Sequence, residues 1–108
     1  VNKEDLNKRI EAGNFKENNG RILRTINILS GKDIKLKSIE FALSEIKNHE
    51  LYESLFYLQD SGYIKIRNIN SKIDIDIYDA DPDDTEIRIT RKGMELLKGF
   101  DNNPAVDV

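Results

Sequence analysis

Cysteine is missing from the chain, so neither a disulfide framework nor a thiolate metal site is available to it. No apolar run approaches membrane-spanning length, and residues 1–10 lack the core of a signal peptide. These two absences set the expectation of a cytoplasmic protein with no membrane association. Excess positive charge is missing too: 17 Lys and Arg against 20 Asp and Glu leave a formal charge of -3. A non-specific nucleic-acid binder carries a strongly basic footprint, so any DNA affinity here must come from local clustering. Histidine occurs once, and there is no Gly-rich phosphate loop, metal-ligand cluster or nucleophile motif. The expectation is a protein that is not an enzyme and uses no cofactor or metal.

What is present suits one small domain: 108 residues, 38% hydrophobic and 34% charged. The organising stretch is residues 38–66. Ser38 can cap a helix whose buried stripe is Ile39, Ala42, Leu43 and Ile46, and after a break near Lys47 and Asn48 a third core helix carries Leu51, Leu55 and Leu58. So short a connection demands the sharp corner of a helix-turn-helix. At Gly62 the apolar period drops from about 3.6 to 2, the signature of a strand. Residues 63–69 and 72–78 alternate and are joined by Asn70 and Ser71, the residues of a tight turn. Pairing Ile69 with Lys72 sets Arg67 opposite Asp74, Lys65 opposite Asp76 and Tyr63 opposite Tyr78, each chemically matched. A third strand, residues 86–90, adds Arg88 to the Lys65 and Asp76 row. Thr90 then caps a closing helix with Met94, Leu97 and Phe100 inward.

Upstream, Asn2 caps a helix over residues 3–12, with Leu6 and Ile10 as its apolar pair and Gly13 as its stop. Residues 1–15 thus read as an N-terminal helical arm, a strap over the core or a dimerisation element. Asn18 or Asn19 caps the first core helix, which buries Ile22, Leu23, Ile26 and Leu29 and stops at Gly31. Residues 34–36 form a short edge strand. The expected class is α+β: a winged helix-turn-helix domain over residues 16–99, with a three-helix core, a small antiparallel β-sheet and extra terminal helices. Residues 100–108, without periodicity, read as a disordered tail.

The run LYESLFYLQDSGYIKI, followed downstream by IRITRKGMELLKG, resembles the small winged-helix proteins of low-GC Gram-positive bacteria and their phages, including the YjcQ-like family. The resemblance rests on Leu55, Leu58, Asp60, Gly62, Tyr63, Ile64, Ile89, Thr90, Gly93, Met94 and Leu97 and covers residues 20–99. It implies a DNA-associated accessory protein of a phage or mobile element, and it transfers no site residues. The chain departs from that pattern in residues 73–86, which hold seven acidic residues and no basic one where a phosphate-gripping wing is basic.

On a helix-turn-helix, the start of the third helix reaches major-groove edges. Asn48, His49 and Tyr52 are therefore the candidate base readers, with Lys47 on phosphate. Lys35, Lys37 and Ser38, at the start of the second helix, are candidates for another phosphate. Arg67, Asn68, Asn70, Ser71 and Lys72 form a polar hairpin tip that fits a minor groove. The partners expected on this reading are duplex DNA and a second copy of the chain, forming a homodimer on paired half-sites. Glu50, Glu53 and Asp60 oppose it, because they share the exposed side of the same helix and repel phosphate. Phe56 and Tyr57, pointing away from the leucine stripe, favour the alternative: a protein-interaction module on the same scaffold. Residues 79–84 begin like a calcium loop but lack the glycine and the final glutamate that such a loop needs.

Overall fold

The computed structural model describes residues 2–29 and 33–108. It is an α+β arrangement in the order α1 (Lys3–Leu29), β1 (Ile34–Lys35), α2 (Leu36–Ala42), α3 (Asn48–Asp60), β2 (Ile64–Asn68), a 3-10 turn (Ile77–Asp79), β3 (Thr85–Ile89) and α4 (Arg91–Leu97). The strands form an antiparallel sheet in the order β1-β3-β2. Beneath its inner face, Ile22, Leu23, Ile26, Leu36, Ile39, Leu51, Leu55, Leu58, Ile64, Ile66, Ile77 and Ile87 are all fully buried.

The first correction concerns α1, which runs unbroken for 27 residues where two helices were expected. Asn2 does cap it, accepting from the Asp5 amide at 2.8 Å. Gly13 does not stop it. A mid-helix glycine costs only about 1 kcal/mol, and a Cβ at Gly13 would meet open space, so no packing contact demands a glycine or a turn there. Leu6 and Ile10 lie on the side of α1 roughly opposite Ile22 and Ile26 and are about half exposed. The arm therefore projects and does not strap the core. Asn19, expected as a cap, is buried inside the helix and donates to the Ala105 carbonyl. Gly31, expected as a stop, lies outside the described residues.

Helices α2 and α3 meet across a short corner, with Leu43 and Ile46 buried in the turn between them. α2 begins earlier than expected: Lys35 is its capping position and Ser38 lies within it, while Ala42 is exposed. α3 buries Leu51, Leu55 and Leu58 as the spacing demanded. It ends at Gly62, whose φ of +83° is the left-handed conformation that glycine adopts without penalty.

The hairpin forms only in part. The Arg67–Asp74 pairing holds as an isolated bridge, and Ile75 still donates to the Ile66 carbonyl at 3.0 Å. The positive φ of the turn falls on Lys72, because the Asn68 side chain holds the amides of Asn70 and Ser71. Past Ile75 the chain leaves the sheet. Ile77 drops into the core, Asp76 caps the 3-10 turn by accepting from the Tyr78 amide, and Gln59 of α3 binds both the Ile75 carbonyl and the Ile77 amide. Neither the Lys65–Asp76 nor the Tyr63–Tyr78 pair forms. β2 pairs instead along its whole length with β3, matching Lys65 to Arg88 and Arg67 to Glu86.

Thr90 caps α4, accepting from the Gly93 amide at 3.1 Å. The inward face of α4 differs from the expected one: Gly93 and Leu96 are buried, while Met94 and Phe100 are exposed. Gly93 decides this, since a Cβ there would sit 2.3 Å from the Tyr63 carbonyl oxygen. The tail is a further correction to the expected disorder. It crosses α1 at Gly20, where a Cβ would lie 1.8 Å from the Asp107 carbonyl oxygen, and it buries Val106. Asn103 ties it down by hydrogen bonds to the hydroxyls of Tyr57 and Tyr63.

Candidate functional site

The nominated DNA-contacting residues fall in separate places, and the side chains of Lys37, Tyr52, Arg67, Asn68, Ser71 and Lys72 are already engaged. At the start of α2, the Lys37 amide donates to the Pro82 carbonyl and its ammonium pairs with Asp83 at 3.3 Å. Ser38 is exposed beside it. The acidic loop thus lies against the helix start that was expected to hold phosphate. At the hairpin end, Arg67 pairs with Asp33 and Glu86, and Lys72 donates to Glu86 at 2.7 Å. Hydrogen bonds from Lys72 above all, and then from Arg67, hold the Glu86 carboxyl below the usual carboxylate range against an opposing effect of burial. The Asn68 side chain accepts from the amides of Asn70 and Ser71 in the turn, and the Ser71 hydroxyl accepts from the Ile73 amide.

Lys47, Asn48 and His49 stand exposed at the start of α3. His49 opens into a cleft of about 290 Å³ between α1 and α3, whose walls include Glu11, Glu50 and Glu53 over Phe15. Carboxylates on this wall repel a phosphate backbone. Tyr57, expected as an exposed contact, turns toward α1: its ring meets Phe15 edge-on at 5.1 Å and its hydroxyl joins Asn103.

The opposite flank of α3 carries the arrangement that single-helix reasoning missed. Tyr78, delivered by the 3-10 turn, lies 5.6 Å from Phe56 and 6.5 Å from Tyr52, ring centroid to ring centroid. Tyr78 is 60% exposed and Phe56 40%, so the ring cluster faces solvent. The Tyr52 hydroxyl donates to Glu40 at 3.1 Å. Burial, then Glu40, then the charge on Asp81 push its pKa up to about 12. Glu40 thus holds the phenol directly, and neither Glu40 nor Asp81 has a cationic partner among the described residues. An aromatic surface with negative edges suits a positively charged side chain, held by ring faces and by carboxylates at once. The sequence held one clue, the acidic run at residues 79–84 just after Tyr78. Its position against α3 depends on the chain leaving the sheet at Ile75.

No protein-family model, curated protein or solved structure matches the chain. Among the described residues, no helix is long and apolar enough to cross a membrane, and no group of three or more His, Asp or Glu side chains is set to hold a metal ion.

Proposed function

We propose that the chain is a winged-helix domain that docks a basic segment of a partner protein on the α3 and wing surface. The element order, the β1-β3-β2 sheet and the sharp α2–α3 corner support the winged-helix reading. The observation that carries the functional reading is the Tyr52, Phe56 and Tyr78 cluster, whose Phe56 and Tyr78 rings face solvent, with Glu40 bonded to the Tyr52 hydroxyl. Aromatic anchors on a desolvatable patch are the usual seat of binding energy between proteins. Arg and Lys chains add cation–π and charge-assisted contacts there. An accessory role in a phage or mobile element, which the resemblance implies, fits such a partner: proteins that handle DNA carry basic segments.

Fluorescence anisotropy with a short Arg-rich peptide tests this. The expected result is saturable binding that weakens roughly 30-fold, a loss of about 2 kcal/mol, in a Phe56→Ala and Tyr78→Ala double variant. Binding of equal strength by that variant, or none by the parent, would sink the reading.

Reading of duplex DNA by α3 is the second hypothesis, favoured by exposed Lys47, Asn48 and His49. It predicts that Lys47→Ala weakens a salt-sensitive DNA complex and that Asn48→Ala relaxes its sequence preference. The exposed Leu6 and Ile10 on the projecting arm favour a homodimer, which light scattering across a concentration series would detect.

A further inference from the structure

The outer face of the sheet carries a charge pattern that the fold leaves uncompensated. In the β2–β3 register Lys65 and Arg88 stand directly opposite each other. Opposed Cα atoms in an antiparallel pair are about 5 Å apart, and like charges in that position destabilise a sheet. Lys35 of β1 pairs with Glu86 of β3, which puts Lys35 one diagonal step from Arg88. Lys35, Arg88 and Lys65 therefore form a line across all three strands, about 12 Å long. All three are exposed, and none is in an ion pair with a described carboxylate. The carboxylates on this face are committed or out of reach. Asp33 and Glu86 are held by Arg67 and Lys72, and Asp74 lines the same edge groove as Lys65 without reaching ion-pair distance.

We propose that this face binds the phosphate backbone of duplex DNA through Lys35, Arg88 and Lys65. Each duplex strand offers a phosphate about every 3.4 Å of axis, so a 12 Å row of cations spans several. The named side chains on the face include no aromatic ring, and proteins that hold single strands stack the bases on such rings. A flat cationic row reads no sequence and suits the outside of a duplex. This surface is separate from the aromatic cluster on α3, so a peptide complex and a DNA complex are measured independently.

The test is anisotropy with a labelled random-sequence duplex at 50 and 200 mM salt. Three phosphate contacts predict a log–log slope of about -2.7, or roughly 40-fold weaker binding across that interval. In a Lys65→Gln and Arg88→Gln double variant the slope falls to about -0.9, with tenfold or greater loss of affinity at low salt. The melting temperature of that variant stays level or rises, because the opposed charges are gone. A duplex complex unaffected by the double variant overturns the proposal. So does a complex lost equally in Lys47→Ala, a single strand bound more tightly than the duplex, or no salt-dependent binding by the parent chain.

Discussion

Two faces of this small protein are built from nearly the same material and end with opposite character. Residues 64–67 read Ile-Lys-Ile-Arg and residues 73–76 read Ile-Asp-Ile-Asp, each alternating at a period of 2. The first pairs along its length with the central strand β3 and projects Lys65 outward. The second makes one bridge, leaves the sheet and folds against α3. Asp74 stays at the sheet edge near Lys65 and Asp76 turns to cap the 3-10 turn that sets Tyr78 beside Phe56, so neither forms an ion pair with Lys65 or Arg88. The alternation specifies which residues face the core, and the partner of each strand then decides where charge accumulates. In a chain of net negative charge, this leaves Lys35, Lys65 and Arg88 on the sheet without an ion pair to a described carboxylate.

The largest test of this contrast removes both faces at once. Leu55 is fully buried under α3, and Leu55→Ala should cost about 2–5 kcal/mol and abolish peptide and duplex binding together, read by thermal denaturation and by both anisotropy assays. Glu86→Gln should separate them. It frees Arg67 and Lys72 at a stability cost of about 1 kcal/mol, tightens duplex binding and leaves peptide binding unchanged. The same carboxylate predicts an acid limit. Its folded pKa lies below its unfolded value, so its stabilisation is complete above the ordinary carboxylate range and is lost as pH falls through the depressed value, which denaturation curves at successive acid pH values should show. The smallest expected effect is alkaline. Tyr52 should titrate late, at about 12, and its contribution to stability should fade as pH rises from its unfolded value of about 10 toward that limit. Phenolate absorbance during a pH titration checks it, and Tyr52→Phe should remove the late step.

Much of the core was legible because burial follows period. Leu51, Leu55 and Leu58 on α3, and Ile64 and Ile66 on β2, are buried as their spacing required. The caps at Asn2 and Thr90 were legible for the same local reason, a side-chain oxygen placed before free helix amides. Gly13 misled because a glycine permits a helix stop without compelling one. Met94 and Phe100 misled because the packing of α4 is set by the bare backbone at Gly93, and a missing side chain adds nothing to a hydrophobic stripe. The candidate site was less legible than the fold. Lys37, Arg67 and Lys72 looked free only while their partners, Asp83, Asp33 and Glu86, stayed remote in the chain.

The sequence alone determined the buried face of α3, the parity of β2 and the stop at Gly62, since each depends on neighbours within a few residues. Tertiary structure decided that β2 would pair fully with β3, that the acidic segment would lie on α3, and that the tail would close over Gly20. Those outcomes turn on which distant surface buries Ile77 and Val106, a competition among contacts far apart in the chain that no local period encodes.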